Sequence, residues 1–101
     1  MNLQVGELVV LNGGPGDQWW VAKVLQLCDV VYDAQNPDLH DGDIQVQQYT
    51  GSGRSAVFTP TNFKGNKQMT WAQCVDQWGS EFDILDRNGK LRTNVRNRLG
   101  T

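Results

Sequence analysis

The sequence predicts a mainly β domain: a small, strongly bent barrel of five short strands with a short C-terminal helix. Three observations carry this expectation. Short runs rich in Val, Ile, Leu and Trp alternate with turns built from Gly, Pro and Asn. The chain has 101 residues, 39% hydrophobic, with four Trp, two Tyr and three Phe, enough for one modest core and no second domain. Leu91, Val95 and Leu99 recur four apart near the end, with arginines between them, which is a helical stripe. Five strands in so short a chain leave exposed edges unless the sheet rolls up, and a barrel solves that problem.

The elements follow in order. Val5–Leu11 is β-branched and apolar and stops at Asn12-Gly13-Gly14-Pro15-Gly16, so it reads as the first strand. Trp19–Leu27 is the second. Alternation puts Trp20, Ala22 and Val24 on one face and Trp19, Val21, Lys23 and Leu25 on the other; Lys23 seeks water, which makes the Ala22/Val24 face the inner one. Residues 28–43 form a long loop with Asp29, Asp33, Asp38, Asp41 and Asp43 and no Lys or Arg. Ile44–Thr50 is the third strand, with Ile44 and Val46 inward and Tyr49 outward. A Gly51-Ser52-Gly53 turn leads to the fourth strand, Ser55–Thr59, closed by Pro60. A polar loop, Lys64–Lys67, leads to Met69–Val75. Phe82–Leu85 reads as the fifth strand, ended by the Asn88-Gly89 turn. Phe58, Phe63, Trp71, Trp78 and Phe82 are expected in the core. Thr93–Leu99 supplies one or two helical turns, stopped at Gly100 and too short to persist unless docked on the barrel. The barrel thus occupies 1–86, and 87–101 is a basic turn and helix packed on it.

Charge narrows the function. The net charge of −2 hides two opposed regions: residues 1–86 carry all eleven acids and four bases, whereas Arg87, Lys90, Arg92, Arg96 and Arg98 share the tail with no acid. No apolar run approaches the roughly 18–20 residues needed to span a bilayer, so no membrane contact is expected. The opening MNLQVGELVVLNGG has no basic start and does not read as a signal peptide. Cys28 and Cys74 allow one bridge at most and are expected as reduced thiols. His40 is the single histidine. Asp38, His40, Asp41 and Asp43 match no calcium-loop spacing. No metal or cofactor is expected. No phosphate-cradling Gly-rich motif, nucleophile–base pair or paired-carboxylate motif stands out, so the chain is expected to bind rather than catalyse.

Three segments carry a resemblance: Val5-Gly6-Glu7-Leu8-Val9, Trp19-Trp20-Val21-Ala22-Lys23-Val24, and Ile44-Gln45-Val46-Gln47-Gln48-Tyr49-Thr50-Gly51. Together they resemble the first three strands of Tudor-type barrels, and related patterns occur in PWWP, chromo-barrel and other SH3-like domains. Phe58-Thr59-Pro60, Trp71 and Asn88-Gly89-Lys90-Leu91 with its basic end are similar to the small barrels that follow integrase cores in retroelement polyproteins.

The first resemblance implies a chromatin reader, in which aromatic rings hold a methylated Lys or Arg of a basic peptide such as a histone tail. Trp20 and Tyr49 fall at cage positions. Asn12 and Ser52 fall where the family has further aromatics, so Tyr32 or Phe58 would supply a wall, with Asp43 and the acidic loop as rim. That reading implies an intracellular, nuclear setting. The alternative is a nucleic-acid-associated barrel in which Arg87, Lys90, Arg92, Arg96 and Arg98 make weak, salt-sensitive phosphate contacts.

Overall fold

A computed structural model describes residues 3–12, 19–27, 41–51, 53–70 and 78–99, with backbone alone at 11, 12, 19, 41–43 and 66–70. The fold is mainly β. Five antiparallel strands, β1 (Leu8–Asn12), β2 (Trp19–Leu27), β3 (Asp41–Tyr49), β4 (Pro60–Thr70) and β5 (Trp78–Gly79), form one sheet in the order β4-β3-β2-β1-β5. β1 to β4 form a meander, and β5 returns to pair with β1 through Leu8–Gly79 and Val9–Trp78. The sheet is not closed, so β4 and β5 are its edges. Two short helices follow β5: α1 (Glu81–Ile84) and α2 (Thr93–Arg98). No helix among the described residues is long and apolar enough to cross a membrane.

The sheet buries both faces. Val9, Ala22, Val24, Ile44 and Val46 form one cluster with Leu3, against which Trp20, Leu27 and Trp78 pack. The alternate residues Leu8, Val10, Val21 and Tyr49 form a second cluster with Phe58, Ile84, Leu85, Leu91, Val95 and Leu99. A single inner face, expected from Lys23, is thus half of the picture, because residues from Phe58 onward cover the other side. A register shift between Val24 and Gln26 explains how Leu27 rejoins the first cluster: Val24 pairs with Val46 and Leu27 with Ile44, and the extra residue resets the alternation.

Several expected elements differ. β1 starts at Leu8, not Val5, because Gly6 takes a φ of 94°, although Gly6 N–H still donates to the Val24 carbonyl. β3 begins at Asp41, so positions 41–43, expected in the acidic loop, belong to a strand, and Asp43 pairs with Gln68. No strand forms over Ser55–Thr59; that stretch belongs to a loop pinched shut by the Thr50 N–H to Thr59 carbonyl bond at 2.7 Å. Pro60 opens β4 instead of ending a strand. Its missing N–H costs least at a first position, and the polar run beyond it is an edge strand with little to bury. The expected fifth strand over Phe82–Leu85 is α1. Ser80 accepts from the Asp83 N–H while the Asp83 carboxylate accepts from the Ser80 N–H, a reciprocal cap that overrides the apolar alternation. The tail helix forms as expected, with Leu91, Val95 and Leu99 buried. Cys28, Cys74 and Trp71 lie outside the described residues.

The C-terminal cover is fastened at Gly89. Its carbonyl accepts from the Phe58 N–H at 2.7 Å, and Val57 bridges Lys90. Gly89 has a φ of 78°, and a Cβ there would sit 2.7 Å from the Phe58 carbonyl oxygen. Gly89→Ala is expected to cost about 1–3 kcal/mol, read as a lower urea midpoint. Gly65→Ala is the control: a Cβ there meets nothing closer than Phe63 at 3.7 Å, and the midpoint should hold or rise slightly.

Candidate functional site

Trp20 and Tyr49, expected to flank one cation, lie on opposite faces of the sheet. Trp20 packs half-buried on the first cluster, whereas Tyr49 is 1% exposed in the second. Strict alternation does turn Tyr49 away from Val46, but what it meets there is a second core and not solvent. Phe58 is 2% exposed in that same core, so it walls no open cage with Trp20. Tyr32, Asp38 and His40 lie outside the described residues, and only the backbone of Asp41 and Asp43 is described.

Tyr49 is a polar handle inside that core. Its hydroxyl donates to Glu81 Oε1 at 3.4 Å. Burial first, and the Glu81 carboxylate second, push its phenol from the ordinary 10.0 to about 12.

The exposed chemistry gathers around α2. Val95 and Leu99 turn inward, which leaves Asn94, Arg96, Asn97 and Arg98 on the outside. An open groove of about 560 Å³ runs between α1 and α2, lined by Trp78, Phe82, Asp83, Ile84, Arg92, Asn94, Val95 and Arg98. A second, of about 520 Å³, is lined by Asp86, Leu91, Arg92, Thr93, Asn94, Arg96 and Asn97. Arg92 borders both. Its Nε donates to the Phe82 carbonyl, and its backbone N–H donates to the Ile84 carbonyl at 2.9 Å, so the guanidinium is held at the junction. Arg96 reaches Thr93 Oγ1 at 3.4 Å. Arg87 and Lys90 sit on the neighbouring turn, which Asp86 ties by accepting from the Asn88 and Lys90 N–H groups.

Comparisons of the chain with protein families, curated proteins and solved structures find no match.

The carboxylates in these grooves are ionised. Hydrogen bonds from Ser80 hold Asp83 below the ordinary carboxylate range, and the Lys90 N–H does the same for Asp86, with Arg92 adding to both. Two participants, Phe82 and Arg54, are not evident from the pattern of charges. Phe82, expected in the core, is 65% exposed, because it stands two residues from the buried Ile84 on a helical turn and therefore points the other way. The Ser80-x-x-Asp83 capping signal could have revealed this. Phe63, also expected in the core, is 66% exposed on edge strand β4. Arg54 lies far away in sequence, yet its Nη2 donates to the Arg96 carbonyl at 3.2 Å, bringing another cation to the end of α2.

Two outcomes follow. The fold prefers the neutral Tyr49 phenol, so the stability linked to it is complete below pH 10 and is lost as pH rises from there through about 12. Tyr49→Phe should flatten that alkaline limb in a series of urea midpoints. Ser80→Ala should move the Asp83 carboxyl up toward its ordinary 3.8, seen by NMR titration of the side-chain carboxyl, with a loss of about 1 kcal/mol in stability.

Proposed function

We propose that this chain is a non-catalytic, nucleic-acid-associated binding module whose ligand surface is the arginine-lined pair of grooves around α2. The observation that supports it best is the placement of Arg92, fixed by its bond to the Phe82 carbonyl at the meeting point of the two grooves, with Arg96 in one and Arg98 in the other. A guanidinium is weakly hydrated and presents its donors as a planar fork suited to phosphate, and anchoring Nε reduces the entropy lost on binding. With only a handful of cations and a net-acidic remainder, the affinity is modest and strongly dependent on salt. The acidic part of the chain turns nonspecific polyanion contact toward this one surface.

The sheet is read as an opened barrel of the SH3-like kind. Supporting that reading is the return of the last strand to the first, the connectivity a rolled sheet needs, together with the two-sided core. A peptide reader built on Trp20 and Tyr49 draws no support from this geometry, since the two rings do not face a common space.

Binding is measured by fluorescence anisotropy with a labelled 12-residue oligonucleotide across a salt series. The expected result is a logarithmic decline of affinity with salt, and a slope lowered by about 2 when Arg92, Arg96 and Arg98 are all changed to Gln. A trimethyl-lysine peptide titrated in parallel should bind no better than its unmethylated form. Absence of oligonucleotide binding even at low salt overturns the proposal.

A further inference from the structure

We infer that the groove between α1 and α2 takes an unpaired base of a single-stranded nucleic acid, stacked on the Phe82 ring while Arg92 and Arg98 engage the adjoining phosphates. This rests on the reading that the surface binds nucleic acid and adds which form of it is bound.

Phe82 is held outward by construction. The Ser80–Asp83 cap fixes the turn, Ile84 turns into the second core, and the ring is left on the solvent side, lining an open groove. The same residue's backbone carbonyl anchors Arg92, and both residues line this groove before any ligand arrives. Ile84 and Val95 contribute apolar surface and Trp78 a second aromatic, in a space of the size that small-molecule ligands occupy. Asp83 decides between a base and a phosphate. Its carboxylate stays ionised, so it repels a phosphate placed beside it and accepts from the N–H groups of a base edge. Asn94 adds an amide that can donate and accept in the same groove. An acidic protein segment would satisfy the arginines, but it would leave the ring unused. In a duplex each base face is covered by its neighbours, so stacking on Phe82 is open only to unpaired bases.

The test compares four probes of equal length on the whole chain at low salt: a single-stranded oligonucleotide, the same sequence as a duplex, an abasic phosphodiester oligomer and poly-glutamate. The single strand should bind best. Phe82→Ala should weaken it about 5- to 150-fold, bringing it to the abasic level, while Phe82→Trp keeps or strengthens it. Because Phe82 is mostly exposed, both variants should melt like the parent. Equal binding of base-bearing and abasic strands, a preference for duplex or poly-glutamate, or an unchanged affinity in Phe82→Ala overturns the stacking inference and leaves the arginine surface standing. Failure of every nucleic-acid probe at low salt overturns both.

Discussion

Everything in this molecule depends on a sheet that has no solvent side at its centre. Successive residues of β1, Leu8, Val9 and Val10, are all fully buried, and so are Val21, Ala22 and Val24 of β2. Because side chains alternate across a strand, such a run requires cover on both faces. Leu3 contributes to one cover and the segment from Phe58 to Leu99 to the other. An uncovered second face would expose a contiguous apolar patch, a liability for any small domain. The C-terminal segment is therefore part of the fold's core and not an appendage.

That requirement also explains where the charges lie. A six-residue helix does not persist alone in water, and α2 is held by burying Val95 and Leu99. Once those two are inward, the helix has no choice but to present its arginines and asparagines outward. The Gly89 turn and the Val57–Lys90 bridge set the angle of approach, and Arg54 crosses from the β3–β4 loop to the carbonyl of Arg96. The grooves on either side of α2 are thus a by-product of covering the sheet. The side chains that line them are supported by backbone contacts on several elements, which is the condition for a preorganised surface.

Local signals in the sequence are strong where a segment's surroundings are simple. The bounds of β2 were legible, since Trp19–Leu27 is an apolar run without a breaker, although its bulge after Val24 was not, and α2 was legible from the spacing of Leu91, Val95 and Leu99. β4 was not, because an edge strand rich in Asn, Lys and Thr carries no apolar rhythm; only its pairing to β3 defines it. α1 was masked by the apolar look of Phe82, Ile84 and Leu85, which competes with the cap at Ser80. The burial of Tyr49 was beyond local reading, because its cover comes from residues such as Ile84 and Val95, more than thirty positions later. For the candidate surface, the clustering of five basic residues was plain. The exposure of Phe82 and the approach of Arg54 were not, since both arise from tertiary packing.

The pairing of β5 with β1 has a consequence in time. Val9 and Trp78 stand nearly seventy positions apart, and the second core is completed only by Val95 and Leu99. Closing such a long loop before its contacts reward it makes formation slow compared with a helical domain of this size. During synthesis the β1–β3 meander emerges first and must wait with one apolar face bare. The surface around α2 cannot assemble until the last of these residues has left the ribosome, so any ligand it takes meets a sheet already covered on its second face.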